Sequence, residues 1–331
     1  AAELSELPTS ILSQQDIKKD YFPTVFDSLR NSQKKFVGLP TGIDGLALYW
    51  NEDIFKQAGL TAPPATWQEL SQIAAKLTVK GPEGNIRTAG VALGTASNID
   101  HYSDILGMMI LQNNGDIKNP TDQRSADSLE YYTRFAKGEN RVWDESQPSS
   151  TTAFIGGNLA MYFGPSWRAA EIKDASRDGS PTLNFKIAPL PQLGEKKVSW
   201  ASYWALGVST KSTNQEEAWK FIKYMQNDQT LIKFYGEASK SPGRIFGEIY
   251  PKTALAKTLS SDPYVGAYVS DAPYMKSFPM ASRTFGEGLN DQIIKAYEDA
   301  INKTLAGENA SEALKITANN IATTLKKFNA Q

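Results

Sequence analysis

Leu48-Tyr49-Trp50-Asn51-Glu52-Asp53-Ile54-Phe55-Lys56-Gln57-Ala58-Gly59-Leu60 is followed at once by Pro63-Pro64-Ala65-Thr66-Trp67-Gln68-Glu69-Leu70, and this stretch decides the fold. Leu46 to Trp50 is a short, almost wholly apolar run of the length of a buried strand. Asn51 is placed to cap a helix over Glu52–Ala58, which Gly59 stops. After the Pro63-Pro64 break, Thr66 and Glu69 have the T-x-x-E spacing of a capping box. Leu70, Ile73, Ala74 and Leu77 then recur at the spacing of a core-facing helical stripe.

Upstream, Lys35 to Pro40 reads as another strand, separated from Leu46 by Thr41-Gly42-Ile43-Asp44-Gly45. Two glycines around an acidic residue mark a turn or a crossing between lobes. Downstream, strands are predicted at Gly90–Leu93, Leu159–Phe163, Phe185–Ala188 and Trp204–Val208. Helices are predicted over Ile105–Leu111, Asp122–Lys137, Leu289–Leu305 and a final stripe from Leu314 to Phe328. A second capping box, Thr213 with Glu216, predicts a helix burying Ala218, Phe221, Ile222 and Met225. Strands alternate with helices for most of the length, which predicts an α/β class with largely parallel pairing.

The composition narrows the function. A chain of 331 residues is long enough to split into two cores. Apolar residues make up 40% and charged residues 21%, the balance of a water-soluble globular protein. Lys+Arg total 35 against 36 Asp+Glu, a net charge of -1 with no long basic run, so nucleic acid is not an expected partner. The absence of cysteine and the single histidine, His101, remove thiolate chemistry and Cys-ligated metals. No cofactor or metal is expected. No transmembrane-length apolar segment and no G-x-G-x-x-G or phosphate-binding loop stands out.

The stretch from Phe36 to Leu70 closely resembles the carbohydrate-type extracellular solute-binding proteins of ABC importers, the family of the maltose and trehalose binding proteins. Leu159-Ala160-Met161 leading to Gly164-Pro165-Ser166-Trp167, then Trp204-Ala205-Leu206-Gly207-Val208, then Ser241-Pro242-Gly243-Arg244, match in the same order. The resemblance implies a two-lobed periplasmic-binding-protein-like fold with hinge crossings. Ligand would lie in the cleft, the lobes would close by rigid-body rotation, and no reaction would be catalysed. Family members open with βα units that this sequence lacks, so the first lobe is expected to be incomplete. The expected division is 1–41 with 205–250 as the N-terminal lobe, and 42–204 with 251–331 as the C-terminal lobe. Crossings are expected near Thr41–Gly45 and Trp200–Trp204. The implied partners are a carbohydrate, a di- or oligosaccharide, and a transporter permease. The implied protein is a monomer, periplasmic or extracellular, with tethering through an absent N-terminal segment left open.

A sugar site needs flat apolar faces for the ring carbons and polar groups for the hydroxyls. Trp167, after a Gly-Pro turn at a strand end, fits the first need. Asp44 aligns with an acidic ligand contact of the resembled proteins. Ser202, Tyr203 and Trp204 replace a glycine-glycine-tryptophan turn, and Arg244 sits where relatives carry a hydroxyl-binding arginine. Asp100, His101 and Tyr102, with Asn98, form a polar loop cluster that could face the cleft. Trp200 has a weaker claim, while Trp50, Trp67 and Trp219 are expected in the core. Two rival functions stay open. A glycoside hydrolase needs two carboxyls about 5 to 5.5 Å apart, or wider for inversion, and nothing pairs Asp44, Asp100 and Asp144. A non-sugar solute-binding protein is the other.

Overall fold

The computed structural model describes residues 3–175, 183–281, 283, 286–328 and 330. Helices α1 (Gln14–Asp20) and α2 (Pro23–Ser28) precede strands β1 (Leu39–Pro40) and β2 (Ala47–Asn51). Then come α3 (Glu52–Gln57), α4 (Trp67–Leu77), the hairpin β3 (Val79–Lys80) and β4 (Ile86–Thr88), α5 (Tyr102–Gln112), α6 (Gln123–Thr133), α7 (Ser150–Ile155), β5 (Met161–Gly164) and α8 (Arg168–Ala175). Strands β6 (Phe185–Ala188), β7 (Ser199–Trp200) and β8 (Ala205–Leu206) lead to α9 (Gln215–Met225) and α10 (Asp228–Ala238). The chain finishes through α11 (Thr253–Ala256), α12 (Gly266–Asp271), β9 (Met275–Lys276), α13 (Leu289–Leu305) and α14 (Ala310–Lys327).

The deciding stretch folds as its caps dictate. The Asn51 side chain accepts from the backbone N–H of Asp53 and Ile54 at the start of α3, and Gly59 takes a left-handed φ of 71° beyond its end. At α4 the Thr66 and Glu69 capping box closes in both directions. Leu70, Ala74 and Leu77 are buried along one face, as the apolar spacing requires.

The central sheet has the order β5-β2-β6, with Tyr49 opposite Tyr162 on one side and Ile187 on the other. Both pairings are antiparallel, which corrects the expectation of largely parallel pairing; among the named ladders only β7–β9 is parallel. The reason is a long-range insertion. Strands β5 and β6 do run in the same direction and are joined through α8, as strand-helix alternation suggests, but β2 is inserted between them in the opposite sense. The predicted strand at Gly90–Leu93 also fails. That segment is buried and bridges at Ala89 to Leu159, but Gly90 runs so close to α4 that a Cβ there would lie 2.0 Å from the Ala74 carbonyl oxygen.

Two hydrophobic cores form. The larger surrounds the central sheet and takes in α4 to α6 and the C-terminal helices. The smaller gathers Leu7, Ile11, Ile17, Tyr21, Val25, Phe36 and Leu39 with Val208, Trp219 and Ile222. Its halves are joined by the antiparallel pair β1–β8, Leu39 opposite Leu206. Leu231, Phe246, Ile249 and Tyr250 pack into the larger core. Tyr203 packs against both.

The Thr213/Glu216 capping box does not form. Helix α9 starts after Asn214 with no side-chain cap bond, because a turn at Ser209–Ser212 delays it, and Glu216 pairs with Lys220 at 2.7 Å instead. The buried face of α9 is therefore Trp219 and Ile222, while Phe221 is 60% exposed. Trp50, Trp67 and Trp219 are core residues as expected. Among the described residues no helix is long and apolar enough to cross a membrane.

Buried Asp271 fastens α12 to the segment after β6, its Oδ2 accepting from the Leu190 N–H at 2.9 Å. Burial pushes its pKa up to about 6, against the lowering effects of that bond and of Lys197. A carboxyl whose folded pKa is raised contributes stability that is present below the ordinary carboxylate range and lost as pH rises through about 6. Asp271→Asn keeps the acceptor and removes the charge. Its stability should equal that of the parent near pH 4 and exceed it by up to about 3 kcal/mol above neutral pH. Denaturant melts at the two pH values check this, and an equal difference at both would refute it.

Candidate functional site

Between the two cores lies a cleft of about 750 Å³. Its floor is the crossing segment Thr41–Leu46, bridged antiparallel at Gly45 to Ala201. All nine residues nominated from the sequence, Asp44, Asp100, His101, Tyr102, Trp167, Ser202, Tyr203, Trp204 and Arg244, line it.

The Gly164–Trp167 turn is fixed from three sides. The Tyr268 hydroxyl donates to the Gly164 carbonyl at 2.8 Å, and the Tyr49 hydroxyl to that of Pro165 at 2.7 Å. Asp44 accepts from the Ser166 N–H at 3.1 Å and the Ser166 hydroxyl at 2.8 Å. Trp167 therefore stands on a rigid corner with half of its surface exposed, 50%. The Arg168 guanidinium lies over its ring, 4.3 Å from the centroid, and His101 meets it edge-on at 6.3 Å.

Asp44 also accepts from the Gly45 N–H at 2.8 Å, and its backbone carbonyl takes the Ser202 N–H at 2.9 Å. Burial pushes its pKa up to about 6, opposed by the bonds from Ser166 and Gly45. The carboxylate thus holds the turn to the crossing, the turn-aspartate role common for this residue.

The second crossing is equally tied. The Ser202 hydroxyl donates to the Ala281 carbonyl at 2.5 Å. The Tyr203 hydroxyl lies 2.5 Å from that of Ser28 and donates to the Thr24 carbonyl at 3.4 Å; burial pushes it up to about 12. Trp204 is 77% exposed, and its carbonyl accepts from the Thr41 N–H at 3.1 Å. Arg244 pairs with Glu248 at 2.6 Å.

The polar loop divides. Asn98 is spent on the loop itself, accepting from the Trp143 indole at 3.0 Å and donating to the carbonyls of Asp144 and Gln147. Asp100 accepts from the Thr151 hydroxyl at 2.5 Å and lies 3.8 Å from Arg168. Tyr102 is buried, its hydroxyl donating to Glu298 at 2.9 Å. Trp200 is fully buried and donates to Asp104 at 2.6 Å. Sequence reasoning missed Asp104, Arg168, Glu248 and Arg283, which also line the cleft. Asp104 was findable, since it follows His101 by three residues at a predicted helix start. Arg168 adjoins Trp167; Arg283 carries no local signal.

Two of the cleft's arginines are ion-paired. Arg168 is 2.5 Å from Glu171 as well as near Asp100, and Arg244 answers Glu248. Arg283 donates to the Tyr102 hydroxyl. Among the described residues no group of three or more His, Asp or Glu could hold a metal ion.

The pattern of the bacterial extracellular solute-binding proteins matches residues 5–231. The chain belongs to that family. This solute-binding protein is similar to the "probable ABC transporter-binding protein" of Deinococcus radiodurans, with 25% identity over 68% of this chain and 55% of that one. It is similar to the maltodextrin-binding protein of Bacillus subtilis, with 24% identity over 63% of this chain and 50% of that one. The aligned region thus spans about half the length of these curated relatives. Among solved structures, the sugar-binding protein MalE of Xanthomonas citri superposes with a TM-score of 0.73 at 20% identity, covering 99% of this chain and 80% of that one. That likeness establishes the two-lobed fold.

Proposed function

We propose that this solute-binding protein captures a neutral carbohydrate, a di- or oligosaccharide, between its lobes and delivers it to the membrane permease of an ABC importer without chemical change. The observation that carries the reading is the cleft wall. Two exposed tryptophans, Trp167 and Trp204, share one 750 Å³ space with fixed carboxylate, hydroxyl and guanidinium groups. Such a mixture suits a ligand with apolar ring faces and many hydroxyls. The ion pairing of Arg168 and Arg244 favours an uncharged ligand over a phosphate ester, which calls for convergent uncompensated cations. The name of the Bacillus relative, a maltodextrin binder, supports the same class. Each acidic residue of the cleft is already committed, Asp44 to Ser166, Asp100 to Thr151, Asp104 to Trp200 and Glu248 to Arg244, which favours binding over hydrolysis.

The proposed lobes are 1–41 with 205–250, and 42–204 with 251–331. The small core, which joins residues 7–39 to 208–222, supports the first pairing, although Leu231, Phe246, Ile249 and Tyr250 of the 205–250 segment pack into the larger core. The nine nominated residues are the proposed ligand wall, with Trp167 as platform. The proposed site of action is the periplasm or the cell exterior, as for the family. Isothermal titration calorimetry against maltose, maltotriose, trehalose and mannobiose tests the reading. Saturable heat with unchanged sugar recovered supports it; a folded chain that takes none of them, or that releases reducing sugar, refutes it.

A further inference from the structure

His101 is the only histidine of the chain, and its two ring nitrogens stand in opposite situations. Nδ1 lies 3.2 Å from Asp104 Oδ2. Nε2 is closed off from solvent, and among the described residues no group bonds to it. The wall around the ring holds Trp167 edge-on. Arg283, Tyr102, Asp100 and Arg168 line the same cleft. Behind the ring, the Trp200 indole donates to Asp104 Oδ1 at 2.6 Å.

The proton positions follow from what each group can do. An indole nitrogen only donates, so Oδ1 is an acceptor; an ionised carboxylate only accepts, so Oδ2 draws the hydrogen of Nδ1. Burial pushes the Asp104 pKa up, while the bonds from His101 and Trp200 and the nearby Arg283 charge pull it back. A neutral imidazole that donates through one nitrogen keeps a lone pair on the other.

We propose that Asp104 is a positioning residue that holds His101 in the Nδ1–H tautomer, so that Nε2, buried as the cleft stands, becomes the acceptor for one hydroxyl of the ligand once the His101–Trp167 wall opens to it. A buried acceptor without a donor is costly. A ligand O–H aimed at Nε2 removes that cost, whereas an ether oxygen at the same place does not, so the pair selects a free hydroxyl. The hydroxyl half rests on the carbohydrate reading; the tautomer half does not.

A single histidine makes the test direct. In a long-range proton-nitrogen correlation spectrum of the ¹⁵N-labelled chain at neutral pH, the one imidazole should carry its proton on Nδ1. Asp104→Asn should move it to Nε2, because the amide must turn its oxygen to the Trp200 N–H and its NH₂ to Nδ1. A proton already on Nε2 in the unmutated chain overturns the proposal, and so does an unchanged tautomer in the variant. Saturation with the tightest-binding of maltose, maltotriose, trehalose and mannobiose should shift the Nε2 resonance, and Asp104→Asn should weaken that binding about tenfold. Binding that leaves Nε2 unmoved overturns this inference alone. No binding of any of the four overturns the carbohydrate reading and the hydroxyl half with it.

Discussion

Trp167→Ala should weaken binding of the cognate sugar by about 30-fold or more while lowering the melting temperature by no more than roughly 3 °C. The two halves of that expectation come from the same geometry. The ring is half exposed, so folding gains little from it. Its corner is nonetheless held by Tyr49, Tyr268 and Asp44, so the ring meets a ligand without first being ordered, which is where an aromatic anchor is worth most. Trp204 is more exposed and stands on the crossing itself, so Trp204→Ala should cost less, under about tenfold. Calorimetry and thermal melts of both variants check this. A Trp167→Ala protein that binds as tightly as the parent removes the platform from the site.

Gly45→Ala should be the most damaging small substitution near the cleft, costing on the order of 3 kcal/mol, with a melting temperature lower by roughly 6 to 12 °C. A Cβ at Gly45 would lie 1.9 Å from the Trp200 carbonyl oxygen and 3.0 Å from the Met275 side chain. The first contact is with backbone, so no rotamer change relieves it. The two crossings bridge at this point, Gly45 to Ala201, and a glycine there marks a close approach of chains rather than a turn. Moving Trp200 would disturb its bond to Asp104 and, through it, His101. Sugar affinity should therefore fall together with stability, in contrast to Trp167→Ala. A Gly45→Ala melt that overlays the parent would show that the crossing yields freely.

How much was legible beforehand depends on whether the decisive interaction was local. Asn51, Thr66 and Glu69 cap helices with groups two to four residues away, so their roles can be read from spacing. The Thr213/Glu216 pattern has the same spacing and fails, because the preceding turn takes up the chain first. Strand direction was misread because β2 pairs with strands more than 100 residues later, and alternation does not report what is inserted between β5 and β6. In the cleft, the family likeness nominated the residues on turns and crossings. The partners that fix them, Ser166 for Asp44, Ala281 for Ser202 and Thr24 for Tyr203, come from distant segments. No periodicity predicts those pairings, and they decide whether a polar group is free for ligand or already engaged.

The distribution of the seven tryptophans gives the molecule a built-in optical reporter. Trp50, Trp67, Trp143, Trp200 and Trp219 are buried, and only Trp167 and Trp204 are exposed, both in the cleft. The red edge of the intrinsic emission, and the part quenched by acrylamide, therefore come from the cleft alone. Occupancy can be followed in the unlabelled chain by the loss of that quenchable fraction, and the Trp167→Ala and Trp204→Ala spectra separate its two contributors.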